Sequence, residues 1–194
     1  MNQKRFSGYL IGAAVILIGL YISVAYNSLI KKENEVNRTW AEVQNTYQRR
    51  LDLTQNLVNV VKGVSDFEQN TLTQIAEARG NAARVTGGAP TSENYNTQNA
   101  AQNRLSAASN RLILVVEKYP QLKGTSAYRG LQTQLEGNER RIKVARNDFN
   151  AAVKDYNDAV LTVPKNLVAK LFGFKEKSGF TADAGADQNV EIQF

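Results

Sequence analysis

The chain has 194 residues, a net charge of +6, and neither cysteine nor histidine. Without cysteine there can be no disulfide, zinc–thiolate site, iron–sulfur cluster or thiol catalysis. Without histidine the chain lacks the commonest general base near neutral pH, so Ser–His catalysis, HExxH metalloproteases and Glu-x-x-His di-iron sites are excluded in their usual forms. The basic residues form no dense block and do not alternate with aromatic residues, so we expect no nucleic acid partner.

The N-terminal segment is apolar and uncharged from Phe6 to Ile30 and follows Lys4-Arg5. A helix rises about 1.5 Å per residue, so roughly 20 apolar residues cross the ~30 Å hydrocarbon layer. We therefore predict a single-pass transmembrane anchor over residues 1–30, in contact with the lipid bilayer. The alternative is a cleaved signal peptide ending near Ser23-Val24-Ala25, but the apolar stretch is longer than the usual ~7–15 residues.

Small residues recur on one face of the predicted anchor: Gly8, Gly12, Gly19 and Ser23. In lipid, glycines spaced as GxxxG let two helix backbones approach closely, and packing then drives association. The alternative is chance, because glycine is common in membrane helices. We predict that this face supports a homo-oligomer.

Basic residues follow the anchor at Lys31, Lys32 and Arg38, and we predict that they contact lipid headgroups. They would favour a cytoplasmic location for the residues after the anchor, whereas Lys4 and Arg5 favour a cytoplasmic N-terminus. On balance we expect the soluble region to be extracytoplasmic.

After the anchor, the first soluble helix has an apolar stripe at steps of three or four residues. The stripe continues through Leu72 and Ile75 and fades near Arg79-Gly80. No helix breaker separates Tyr26 from Val36, so we expect the anchor and this helix to form one rod, bent near Gly63. The stripe comprises Val36, Trp40, Val43, Tyr47, Leu51, Thr54, Val58, Val61 and Val64.

Two further long helices and one short helix are predicted. Residues 86–92 form a loop, with Ser92 as a candidate N-cap for a helix that runs to about Glu117. After Tyr119-Pro120 and a turn, Thr125 or Ser126 caps the third helix. Pro164 suits the first turn of a short fourth helix. The apolar stripe of the third helix comprises Tyr128, Leu131, Leu135, Ile142, Ala145, Phe149, Ala152, Tyr156 and Val160, interrupted by Asn138.

The predicted fold is all-α: an N-terminal transmembrane helix, then an elongated antiparallel bundle over residues 31–172 with coiled-coil-like packing. Residues 173–194 are predicted to be a flexible tail, and a short strand at 190–194 that docks on a neighbour is the alternative. The first helix would be much longer than the second. Leu53, Leu57 and Phe67 would then need other partners, which predicts self-association.

An ordered set of short motifs runs along the chain: Tyr26-Asn27, Trp40, Arg49-Arg50-Leu51-Asp52-Leu53, Asn56-Leu57-Val58, Val61-Lys62-Gly63, Phe67-Glu68, Ala76-Glu77-Ala78-Arg79, residues 117–123, residues 131–136, Glu139-Arg140-Arg141-Ile142, residues 145–150, Tyr156-Asn157 and Pro164. Taken in this order, the motifs resemble a known family, the LemA family of bacterial membrane proteins. The resemblance implies an inner-membrane protein with an N-terminal transmembrane helix and an all-helical soluble domain, and it implies no reaction. Gly124 and Phe149 depart from the expected alanine and tyrosine.

We predict no catalytic residue, metal or cofactor. Carboxylates between helices could bind Mg²⁺ or Ca²⁺ through oxygen, but pairing with Arg79, Arg140, Arg141 or Arg146 is the preferred interpretation. The favoured function is a non-enzymatic scaffold that self-associates and engages other envelope proteins. The alternative is a regulatory adaptor for one membrane protease or transporter. The carboxylates in question belong to Glu68, Glu77, Glu117, Glu136 and Glu139.

Overall fold

A computed structural model of the protein describes residues 3–63 and 67–180. The first helix, α1 (Gln3–Lys62), is continuous over 60 residues, which corresponds to about 90 Å. The predicted rod that joins the anchor to the first soluble helix is therefore confirmed. The predicted domain boundary at residue 30 falls inside this helix and marks no break in the backbone.

The prediction that this helix continues past residue 63 toward Gly80 is wrong. A separate helix, α2 (Gln69–Val85), follows α1 and runs back along it. Arg79 Nε of α2 donates a hydrogen bond to the carbonyl oxygen of Leu51 at 3.1 Å. Apolar residues continue at steps of three or four through Leu72 and Ile75, but these two residues lie on a second helix that runs in the opposite direction. Spacing alone does not reveal such a reversal.

This reversal removes the predicted mismatch in helix length. Leu53, Leu57 and Phe67, which were predicted to need outside partners, are only 5%, 0% and 7% exposed. They belong to a core that includes residues of the later helices. The prediction that these residues need outside partners is therefore wrong.

The next helices begin at hydroxyl N-caps. Thr91 caps α3 (Ser92–Val116) by accepting from the backbone N–H of Asn94, so the cap lies one residue before the predicted Ser92. The single-turn helix α4 (Pro120–Lys123) follows. Thr125 then caps α5 (Ser126–Leu161), as predicted.

Helix α5 lies antiparallel to α1. Asn138 Nδ2 donates to the carbonyl oxygen of Thr46 at 3.1 Å. Further along α5, the ring of Phe149 lies 5.4 Å from that of Trp40, which precedes Thr46 in α1. The predicted stripe of α5 is buried along its length, except for Leu131, which is partly buried. Helical periodicity therefore identified the packed face of α5.

The last helix, α6 (Lys165–Phe172), begins directly after Pro164 and ends at Gly173. Gly173 has a φ of +78°, a left-handed conformation that glycine adopts without strain. The residues described by the structure form six helices and no strand, which confirms the all-α class. The structure has more helices than predicted, and the predicted strand at 190–194 lies outside the described residues.

Two apolar cores stack along α1. We call the one nearer the N-terminal span the proximal core; it joins α1 to α5 and α6 and includes Trp40 and Phe149. The distal core joins the end of α1 to α2, α3 and the start of α5, and includes Leu57 and Leu105.

Candidate membrane interface and interaction surfaces

The N-terminal part of α1 is long and apolar enough to cross a membrane, and very little of it is buried by the rest of the protein. It is the one helix with this property among the described residues. Large apolar side chains here are openly exposed, such as Ile11 at 66%, Leu17 at 66% and Val24 at 68%. Such side chains need an apolar solvent, and a bilayer supplies one.

The small-residue face is open along the span. A Cβ atom added at Gly8, Gly12 or Gly19 would meet no atom within 4 Å. Ser23 Oγ donates to the carbonyl oxygen of Gly19 at 3.0 Å, so its hydroxyl is satisfied within the helix. At about 100° per residue these positions fall within roughly 60° of arc. The structure thus leaves this face available, and its role in association stays a prediction.

The three basic residues after the span differ in their surroundings. Lys31 is exposed and Lys32 is half-buried. Arg38 lies two turns further on and forms two hydrogen bonds with Glu35, at 2.7 and 2.9 Å. This hydrogen bonding raises the pKa of Arg38 and lowers the pKa of Glu35. Arg38 is therefore already paired within α1, and headgroup contact by all three stays a prediction.

The folded region packs against the last part of the apolar span. Ala25 and Leu29 are 1% and 0% exposed within the proximal core. Lys165 Nζ donates to Ser28 Oγ at 3.1 Å. The ring of Phe172 lies 4.8 Å from that of Tyr26, centroid to centroid. Helix α6 is thus fixed beside the C-terminal end of the predicted anchor.

The first part of the predicted flexible tail is docked on α5 by two asparagines. Asn157 donates to the carbonyl of Lys177 at 2.7 Å and accepts from its N–H at 2.9 Å. Asn150 makes the same pair of bonds with Phe180, at 3.1 and 2.8 Å. Each asparagine amide thus pairs with both the N–H and the carbonyl of one tail residue, as a neighbouring backbone would. The two asparagines lie two turns apart on α5. We call Asn150 and Asn157 the tail clamp.

The docked segment ends in an aromatic cluster. The ring of Phe180 lies 6.0 Å from that of Trp40, 5.5 Å from that of Tyr95 and 5.6 Å from that of Phe149. The Arg146 guanidinium lies 5.1 Å from the Phe180 ring centroid, which adds a cation–π attraction. The prediction of a flexible tail from residue 173 therefore does not hold for residues 174–180.

Glycine is required where the tail approaches α5. A Cβ atom at Gly179 would lie only 2.6 Å from Asn150 Oδ1, the atom that accepts from Phe180. This site was not predicted from the sequence, because asparagine has no periodic signal. A pattern in the sequence that points to this site is the spacing of Asn150 and Asn157, which places both asparagines on one face of α5, two helical turns apart.

A polar layer separates the two cores. Arg50 is 3% exposed, and its Nη1 donates to both the carbonyl and Oε1 of Gln102, at 3.1 and 3.0 Å. Its Nη2 bonds to Glu139. Burial lowers the pKa of Arg50, and the nearby Glu139 carboxylate opposes that shift. Arg50 therefore holds α1, α3 and α5 in one register.

The candidate cation ligands are dispersed. Glu139 pairs with Arg50, and Glu117 pairs with Lys123, rather than with the arginines expected from the sequence. Among residues 3–63 and 67–180 no group of three acidic side chains is placed to hold a metal ion together. Trp40, a member of the predicted apolar stripe of the first soluble helix, lies in the proximal core and is 3% exposed.

An all-helical fold joined without interruption to an exposed apolar helix defines the class of a membrane-associated helical protein. Residues 39–194 match the LemA family, so the chain belongs to that family. The resemblance noted in the sequence is therefore confirmed.

Curated relatives agree with this class. Magnetosome proteins MamQ 2 and MamQ 1 of Paramagnetospirillum magneticum are each 25% identical over 184 residues, covering 85% of this chain and 68% of theirs. Protein LemA of Metamycoplasma hominis is 21% identical over 159 residues, covering 80% of this chain and 70% of its own. Together with the single apolar helix at the N-terminus, these relatives indicate membrane anchoring.

Proposed function

We propose that this protein is a membrane-anchored helical scaffold that self-associates and engages other envelope proteins, without catalysis of its own. The observation that carries the proposal is the continuity of α1, which is exposed and apolar at one end and forms part of both cores at the other. A rigid helix transmits lateral association of the spans to the folded regions. The open face at Gly8 and Gly12 supports such association.

The proposed location is the bacterial inner membrane, with the folded region on the extracytoplasmic side. Lys4 and Arg5 before the span support this orientation. Protease added to spheroplasts should then digest residues after the span while the membrane stays intact. Protection until the membrane is permeabilised would reverse the orientation and leave the scaffold proposal standing.

Cysteine cross-linking in native membranes tests self-association, and the absence of natural cysteine gives a clean background. We expect Gly12→Cys to form an oxidised dimer. The control is Leu17→Cys, which is on the opposite side of the helix, since each residue turns by about 100°. Equal, weak cross-linking at both positions would overturn association through the small-residue face.

A regulatory adaptor that binds one partner, such as a membrane protease or transporter, is the second candidate. An open groove of about 880 Å³ between α1 and α5 favours it, because the groove is lined by charges of both signs, including Glu42, Arg49, Asp52, Arg140 and Arg141. Photo-cross-linking from position 140 should yield one heterotypic product if the adaptor function holds. Homotypic products from position 12 alone would favour the scaffold.

A further inference from the structure

Apolar side chains are concentrated on one exposed corner of the folded region. This corner comprises the end of α5, the turn to α6 and the outer face of α6. Within α6, Val168 and Ala169 are buried at 4% and 0%, so the helix has one packed face and one exposed apolar face. The exposed side chains are Leu161 at 56%, Val163 at 79%, Leu167 at 66%, Leu171 at 69% and Phe172 at 49%. We call this set the apolar corner.

Elsewhere on the folded surface that the structure describes, no such concentration occurs. Beyond the last exposed residues of the span, the other large apolar side chains with high exposure in the described chain are Leu114 at 70% and Val144 at 57%, on different helices. Isolated exposed apolar residues are normal on a soluble surface. Five exposed large apolar side chains between residues 161 and 172, beside a helix that can cross a membrane, are different, and they require an explanation.

The position of the corner identifies what covers it. The turn residues Thr162 and Val163 line an open depression together with Tyr21, which belongs to the apolar span. Helix α6 contacts α1 at Ser28 and Tyr26. A span of about 20 residues from Phe6 ends near residue 25. The apolar corner therefore lies level with one surface of the bilayer.

The charged residues around the corner do not prevent contact with the bilayer, and they are not its main cause. Lys32, Lys165, Asp155 and Asp158 line the depression beside it, and Lys170 of α6 is exposed. Asp158 of α5 lies close by and pairs with Lys154 at 2.8 Å, and Glu33 pairs with Lys177 at 3.0 Å. Basic and acidic groups thus largely offset one another here, and apolar burial is the main driving force.

We propose that the apolar corner is immersed in the bilayer, at the boundary between headgroups and acyl chains, and that lipid of the same leaflet covers it. The proposal rests on the proposed anchoring of α1. The corner meets the span at Tyr26, whose ring lies 4.8 Å from that of Phe172. Interfacial helices bury their apolar face about 5–10 Å deep in this way. The corner would fix the tilt and rotation of the folded region on the membrane.

Depth-dependent quenching in proteoliposomes tests the proposal on the full chain. Single cysteines labelled with NBD would replace Leu171 in the corner, Leu114 as a control of equal exposure far from the span, and Leu17 inside the span. Since an interfacial helix lies about 5–10 Å deep, we expect 5-doxyl lipid to quench position 171 at least about threefold more than position 114. Aqueous iodide should show the reverse order.

The three positions separate the two proposals. Quenching at 17 but not at 171 would overturn the immersed corner and leave the anchor intact. No lipid quenching at either position would overturn the anchoring itself. Protection of position 171 from iodide without quenching by doxyl lipid would mean that another protein copy covers the corner, which also overturns lipid immersion.

Discussion

The proximal and distal cores are built from different side chains and different kinds of contact. The proximal core is aromatic, with Trp40, Tyr95 and Phe149 in mutual ring contact, and it unites helices from opposite ends of the chain. The distal core is largely aliphatic and contains the reversal from α1 into α2 and α3. The proximal core adjoins the membrane span and binds the tail, so we associate it with anchoring and the distal core with closing the fold.

The largest effect is expected from Phe149→Ala in the proximal core. Phe149 is 0% exposed, and truncating a buried phenylalanine costs ~3–5 kcal/mol. Urea unfolding of the micelle-bound protein, followed by the fluorescence of the single Trp40, measures this loss. The tail should also detach, because Phe180 loses a ring partner. Unchanged stability would contradict the proximal core as described.

Leu57→Ala tests the distal core and the reversal at residue 63. Leu57 is 0% exposed, so its truncation should lower the free energy of unfolding by ~2–5 kcal/mol. Had α1 continued into solvent, the same change would have little effect. The matched control is Leu114→Ala, which removes a side chain that is 70% exposed.

Glu139→Ala tests the polar layer between the cores. It would leave the buried guanidinium of Arg50 with Gln102 as its remaining partner, and losing a hydrogen bond to a charged group costs ~1.5–3 kcal/mol. The control is Glu35→Ala, which breaks an exposed pair within one helix and should change stability much less. Urea unfolding measures the loss of unfolding free energy in both variants. Equal losses would show that burial of Arg50 does not strengthen its pairing with Glu139.

Asn157→Ala should release the tail without unfolding the helices. It removes two hydrogen bonds to Lys177, worth ~0.5–1.5 kcal/mol each. Trypsin should then cleave after Lys175 and Lys177 about tenfold faster, since 1.4 kcal/mol is a factor of ten, and mass spectrometry identifies the cut. Asn147→Ala, an exposed position on the same helix, should cleave like the natural protein.

The smallest effect near neutral pH is expected from the buried tyrosines. Burial raises the pKa of Tyr95 to about 12, against about 10 in the unfolded chain. Because the folded state then holds the proton more tightly, this contribution is complete below pH ~10 and is lost as the pH rises toward ~12. Helical circular dichroism during urea titration should show stability falling only above pH ~10. Constant stability up to pH 12 would contradict burial of the hydroxyl.

The burial pattern of α5 was predictable because it depends on local spacing. Each apolar residue at three or four steps lies on the same face of a helix, whatever the partner is. The reversal after Lys62 was hidden for the same reason, since Leu72 and Ile75 continue the spacing on a different helix. Periodicity reports a buried face, and it does not report which element covers that face.

The sequence by itself determined the all-helical class, the apolar span, the family and the packed faces of α1 and α5, because composition and period are properties of short segments. Tertiary structure decided where α1 ends, which helices share a core, that Arg50 pairs with Glu139, and that the tail is clamped by Asn150 and Asn157. Those features join residues that are distant in the chain. Their energy comes from burial and from amide geometry that exist only after the helices have packed.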